Sequence, residues 1–269
     1  MNLDDKMLRE LQMVELEMLK EVDRICREND INYSLDSGTL LGAVRHKGFI
    51  PWDDDADIVM LREEYERFYK ACQTQLDTNR FFLQEYRTDK HYRWGYSKMR
   101  RNNTIFERYG QENLKWNKGM FIDIFVYDNV PDGFVIRRLH LFLCFIIRKI
   151  LYSVIGRDNA KYAPLRMWYE ILYKIPRNFL FRIIERIAYI CNRQKTKLVR
   201  HITFPYRKEC KYGLPLECFD EYIELEFENH QFKCFKNYDL YLRTLYDDYM
   251  VPPPEEDRVL EPVSNIKFP

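Results

Sequence analysis

Paired cysteines are missing from this sequence of 269 residues. Its seven cysteines fall at positions 26, 72, 144, 191, 210, 218 and 234, an odd number without a CxxC pair. That count and spacing argue against a disulfide framework or a zinc site, and the cysteines read as mostly packed, reduced thiols in a reducing cytoplasm. Net charge is nearly absent too. The 43 basic residues face 42 acidic ones, which argues against general nucleic-acid binding through phosphate charge. No internal repeat or low-complexity linker divides the chain. The start is polar and acidic, unlike a signal peptide. The longest apolar run, 139–155, is interrupted by Arg148 and Lys149 and reads as too short and too charged for a membrane span. What is plentiful is core material: 46% hydrophobic residues, with 20 Tyr and 18 Phe. The length fits one large domain or two small ones.

One stretch stands out. Pro51 and Trp52 lead into Asp53, Asp54, Asp55 and Asp57, four acids in five positions, and then into Ile58, Val59 and Met60. Residues 55–60 alternate like a strand, which puts Asp55 and Asp57 on one face about 7 Å apart. Carboxylates held that close repel, and their pKa values rise unless a cation lies between them. A divalent metal resolves the conflict, and all-oxygen ligation suits Mg²⁺ or Mn²⁺. A solvated acidic turn is the bland alternative, against which Trp52 and the apolar alternation argue. A calcium loop would align Asp53, Asp55, Asp57 and Glu64, but Ile58 stands where that loop needs glycine.

Around this stretch the chain reads as α+β. Residues 4–29 form an amphipathic helix and 31–35 a strand. Ser37, Gly38 and Thr39 then open a short helix ending near His46, a serviceable phosphate cradle with backbone N–H donors at a helix start. Arg45, His46 and Lys47 follow as surface charge or as phosphate contacts. A helix is expected over 62–76, with strands over 81–86 and 94–99. Lys98 is a candidate inward-facing phosphate lysine, the alternative being a stem that snorkels to the sheet edge. The run 121–127 is a strand with Asp123 at its centre, and an acid in so apolar a run needs a partner. Beside the 55–57 segment it would complete a three-carboxylate metal site; otherwise it pairs with an arginine or the backbone.

Residues 134–201 change character. They carry fifteen basic side chains and only three acidic ones, interleaved with aromatic and aliphatic residues. Such helices can cap a core, present a groove to an anionic acceptor, or lie on anionic lipid. No nucleic-acid recognition motif accompanies them. The end reads as a hairpin, 222–227 with 231–235, and a helix over 237–250 stopped by prolines.

The stretch Gly38–Asp55, with 121–125 and the segment 242–256, closely resembles the LicD family of phosphotransferases, relatives of fukutin and the fukutin-related protein. The resemblance implies a nucleotidyltransferase-like fold: a mixed β-sheet core flanked by helices, with an inserted helical subdomain. The division would be a catalytic core over 1–133, the basic apolar helical insertion over 134–201, and a hairpin and helix over 202–269 completing the core. Mapped here, Gly38 and Thr39 are the phosphate turn. Asp55 and Asp57 are the metal pair, and Asp123 is the third acid. Ser37 stands where the family usually has glycine, Ala56 where it has isoleucine, and Asp247 where it has glycine.

The family implies transfer of phosphocholine or a similar phospho-alcohol from a CDP-linked donor such as CDP-choline. The acceptor is a hydroxyl of a teichoic-acid or lipopolysaccharide glycan, and CMP is released. Asp55, Asp57 and Asp123 would be catalytic and would hold Mg²⁺ or Mn²⁺. Ser37, Gly38, Thr39, Arg45 and Lys98 would bind nucleotide or phosphate. The chain resembles the bacterial, cytoplasmic members, with contact at the inner face of the membrane open and no nucleic-acid partner. A nucleotide-sugar glycosyltransferase would use the same Asp-x-Asp arrangement, and a metal-stabilised envelope scaffold would bind metal without nucleotide.

Overall fold

The computed structural model describes residues 3–258 and 260–269. Helix α1 (Asp5–Glu28) begins at Asp4, whose side chain accepts from the Met7 N–H at 2.8 Å and so satisfies a free donor of the first turn. Strand β1 (Ser34–Leu35) passes through Asp36 into α2 (Ser37–His46). Then come β2 (Asp57–Leu61), α3 (Arg62–Gln75), β3 (Phe81–Gln84), β4 (Ser97–Arg101), β5 (Ile105–Arg108) and the ten-residue β6 (Phe121–Val130). Three helices follow, α4 (Phe134–Gly156), α5 (Ala163–Tyr173) and α6 (Arg177–Asn192). The chain closes with β7 (Leu198–His201), β8 (Leu214–Pro215), β9 (Tyr222–Phe227), β10 (His230–Phe235), α7 (Tyr238–Tyr246) and β11 (Val263–Lys267).

The main sheet runs β1-β2-β6-β4-β3, with β7 on the far half of β6 and β8 beside β7. Among the described residues only β2 and β6 pair in parallel; the other ladders are antiparallel. β6 is long enough to serve β2 along one edge, and β4 and then β7 along the other. One sheet face carries Ile58, Met99, Ile122 and Ile124, all without solvent exposure. α1 supplies Leu11, Met18 and Val22 to the same core. Burying several such side chains, at about 1.5–3 kcal/mol each, fixes the strand register, because a one-residue slip would turn them outward. The rung that β2, β6 and β4 share is thereby fixed as well.

The α+β class is as expected, and several bounds differ. The strand read over 31–35 is only Ser34–Leu35, and the one read over 94–99 is Ser97–Arg101. α7 stops at Tyr246 rather than 250, because Asp247 turns to a φ of 61°. Strands β5, β7, β8 and β11 were not anticipated. The hairpin is present, and its turn residues Glu228 and Asn229 both take positive φ, as a tight two-residue hairpin demands.

The helical part of the basic tract is α4 to α6, while Leu198–His201 joins the main sheet as β7. Cys144, Ile147 and Leu151 of α4 pack on Leu180, Phe181 and Ile184 of α6 and on Ile202. The apolar run expected to be too short for a span lies in a 23-residue helix that reaches a span's length and composition, with half of its most apolar window buried inside the protein.

Candidate active site

Three neighbouring strands set one rung of side chains. Asp57 of β2 lies opposite Asp123 of β6, and Lys98 of β4 lies opposite Asp123 from the other side. Opposed residues share a sheet face, and strands are about 4.8 Å apart, so two carboxylates and an ammonium stand in a row. Lys98 donates to Asp123 Oδ1, and its Nζ sits 3.3 Å from the centre of the Phe121 ring. It does not snorkel: its side chain is 6% exposed. The partner that an acid in so apolar a strand requires is therefore this lysine, not an arginine.

Asp55 lies just before β2 rather than in it, β2 starting at Asp57. The extended path still reaches back that far, since the Asp123 N–H donates to the Ala56 carbonyl at 2.9 Å. Alternation persists through the loop: Asp53, Asp55 and Asp57 are part-exposed, whereas Asp54, Ala56 and Ile58 are buried. Buried Asp54 accepts from Arg108 of β5 at 3.0 and 3.4 Å. The same guanidinium passes 3.9 Å from Asp55 and 3.2 Å from Glu261.

These groups face a cleft of about 390 Å³. It is lined by the acids Asp54, Asp55, Asp57 and Asp123, by the cations Lys98, Arg100 and Arg108, and by the rings of Trp94, Tyr96, Trp116, Phe125 and Phe204. Trp94 stacks parallel to Tyr96 at 6.5 Å and meets Trp116 at 5.8 Å; Phe125 and Phe204 are 5.2 Å apart.

The electrostatics follow from crowding. Burial, then Asp55 and Asp123, hold Asp57 well above the usual carboxylate range. Burial lifts Asp55 to about 6, with Asp54 and Asp123 adding to the rise and Arg108 opposing it. Asp55 keeps 40% of its side-chain surface open, so water in the cleft moderates that rise. Burial lowers Lys98 to about 8 against the pull of Asp123. Behind the loop, α1 contributes Glu15, which burial and Asp55, Asp54 and Asp53 push well up; its Oε2 has no hydrogen-bond partner among the described residues.

The turn expected to bind phosphate is built around Asp36. Its side chain caps α2 by accepting from the Ser37 N–H at 2.7 Å, and it also accepts from the Tyr241 hydroxyl. Ser37 takes a φ of 45°, a left-handed value that glycine adopts without strain. That is a physical reason for the glycine expected at this position. Thr39 Oγ1 accepts from the Asp57 N–H at 2.8 Å, so the turn also anchors the start of β2. Gly38 fits because a Cβ there would come within 2.7 Å of Asp53 Oδ2.

The structure thus brings Asp55, Asp57, Asp123 and Lys98 into one cleft. Arg45 lies elsewhere: it donates to the Tyr249 carbonyl at 2.9 Å and lines a second cleft of about 350 Å³ with Gly38, Trp52, Asp53 and Arg207. The two clefts meet at the 53–55 loop. Sequence reasoning missed Asp36, Asp54, Arg108 and Glu15. Two of these were signalled. Asp before Ser-Gly is a helix-cap pattern, and Glu15 occupies the apolar stripe of α1 between Leu11 and Leu19.

The donor chemistry fits a hard divalent cation: carboxylate oxygens outnumber cations around the loop, and among the described residues no basic side chain pairs with Asp57. The tightest group of three carboxylates among those residues is Asp53, Asp54 and Asp55, with oxygens within 4.8 Å of one another. Asp57 and Asp123 stand one strand further along, where Lys98 engages Asp123.

Residues 30–138 match the family described as LicD/FKTN/FKRP, nucleotidyltransferase domain. The chain is 32% identical over 281 aligned positions to the lipopolysaccharide cholinephosphotransferase LicD of Haemophilus influenzae, covering 93% of this chain and 94% of that one. Shorter likenesses join it to uncharacterized proteins of Rickettsia prowazekii (37% identical, 21% of this chain and 28% of that one) and Rickettsia typhi (46%, 19% and 17%).

Proposed function

This chain belongs to the LicD family and is a phosphotransferase, and from that premise we propose that it moves phosphocholine from a CDP-linked donor to a hydroxyl of a cell-envelope glycan, releasing CMP. The observation that carries this reading is the shared rung of Asp57, Asp123 and Lys98, with Asp55 and Arg108 beside it, facing an aromatic wall. The acceptor would be of the lipopolysaccharide or teichoic-acid type, and the fold of nucleotidyltransferase type. The enzyme would work in the cytoplasm, against the inner face of the membrane.

Asp55 and Asp57, with the free oxygen of Asp123, would hold Mg²⁺ or Mn²⁺, and such an ion neutralises a donor diphosphate. The residues do the rest. Lys98 and Arg108 present cations to non-bridging phosphate oxygens, and Ser37, Gly38 and Thr39 offer donors at the start of α2. Arg45 reaches the donor from the second cleft. Asp123 accepts the proton of the attacking hydroxyl. The new O–P bond forms on the phosphorus distal to the nucleoside as the anhydride P–O bond breaks, and its electron pair leaves with CMP. Positioning and charge neutralisation carry such transfers. The faces of Trp94, Trp116 and Phe204 favour choline over a polyol, because a quaternary ammonium binds aromatic faces within about 6 Å.

The test is to incubate the protein with CDP-choline, Mg²⁺ and a lipopolysaccharide or teichoic-acid acceptor. Acceptor-dependent CMP release, with label from choline on the glycan, is the expected result. UDP-sugar consumption without phosphate transfer would make it a glycosyltransferase. Metal binding with no nucleotide bound would leave a scaffold.

A further inference from the structure

The outer face of α4 and α5 exposes large apolar side chains. On α4, Val135, Leu139, Phe142 and Ile146 are 75, 56, 57 and 37% exposed; on α5, Met167 and Trp168 are 62 and 54% exposed. Exposed apolar faces this extended mark contact sites. Cations are set among these side chains, each lying on an aromatic ring. Arg138 is 4.6 Å from the centre of Phe134, and Arg148 and Lys149 are each 5.6 Å from Phe145. Among the described residues none of these three cations has a carboxylate within ion-pair distance.

Charge complementarity names the occupant. The 134–201 tract holds fifteen basic and three acidic residues, while the rest of the chain holds twenty-eight and thirty-nine. A second copy of this chain would bring another strongly positive face against the first. A membrane crossing is equally unsuited, since Arg137, Arg138, Arg148 and Lys149 punctuate α4 and its other side is packed on α6. An apolar face studded with cations on aromatic rings fits an anionic bilayer surface, with the rings at the acyl boundary and the cations at the phosphates.

We infer that α4 and α5 seat the protein on an anionic phospholipid bilayer, with the mouth of the catalytic cleft opening beside that surface. A groove of about 410 Å³ makes the connection: Trp94, Tyr96 and Phe204 line both it and the cleft, and Arg148, Lys149 and Tyr152 of α4 form its outer end. The inference rests on the membrane-facing placement proposed above, not on which group is transferred.

Co-sedimentation of the full chain with phosphatidylcholine vesicles, with and without phosphatidylglycerol, tests it. Binding is expected only with phosphatidylglycerol and should weaken as salt rises. Arg138→Gln and Lys149→Gln should each cost about fivefold in vesicle affinity, the worth of one basic residue near such a surface. Phe142→Asp should cost more. All three should keep the parent's circular dichroism, its Tm and its turnover on a water-soluble acceptor, so a failed reaction and a failed docking face are told apart. Equal binding to neutral vesicles, no binding to anionic ones, or a dimer in light scattering that Phe142→Asp dissolves would each overturn the inference.

Discussion

Asp57 sits among Asp55, Asp123 and Asp36 without a basic partner among the described residues, so its charge is a burden on the fold. Asp57→Asn should therefore lower transfer at least about a hundredfold, the scale of losing one preorganised charge, while Tm holds or rises. Near-normal turnover in that variant would remove Asp57 from the site. Lys98 gives the complementary signature. Burial brings its ammonium down to about 8, so it sheds its charge above that pH. A pH–rate profile should fall above about 8, and Lys98→Arg should flatten that limb if it folds, because a guanidinium stays charged. An unchanged profile in Lys98→Arg would mean that another group titrates there.

Elements hold these residues through close approaches. A Cβ on Gly42 of α2 would meet the Gly48 carbonyl at 2.4 Å, and neither backbone can yield easily. Gly42→Ala should cost about 1–3 kcal/mol by overpacking, visible as a lower Tm and a lower denaturation midpoint. Much of this level was legible. β2 and β6 announce themselves by alternation around misplaced acids, and the β9–β10 hairpin by two strand-like runs around a turn. What was hidden depends on partners far along the chain. In β5 only Phe106 is buried, and in β11 only Val263, so neither shows an alternating pattern; each is a strand because the other pairs with it. Arg108, and with it the partner of Asp54, arrives on that hidden strand. Arg45 stands apart from the acids for a related reason: nearness in sequence suggests a place beside them, whereas the course of α2 turns it to Tyr249 and the second cleft.

For the molecule as a whole, the acidic loop links stability to pH and metal. Asp36 and Asp55 rise from 3.8 to about 6 on folding, so each favours the folded state fully below 3.8, and that support is lost as pH climbs through about 6. A divalent ion would relieve the repulsion that remains. The rise in Tm on adding Mg²⁺ should be larger at pH 8 than at pH 5, and CDP should add to it where UDP does not. A ligand at about 100 times its Kd contributes about 2.7 kcal/mol, enough to shift Tm by several degrees. Equal Mg²⁺ effects at both pH values would separate the metal from these carboxylates. The long β6 has a consequence for synthesis. Asp57 leaves the ribosome sixty-six residues before Asp123, the residue it is registered against, and β7 on the other edge begins sixty-eight residues after β6 has ended. Non-local pairings of this kind form late. The nascent chain must carry Asp57 without its facing strand until β6 emerges, and the sheet edge beyond it stays open until three further helices have been made.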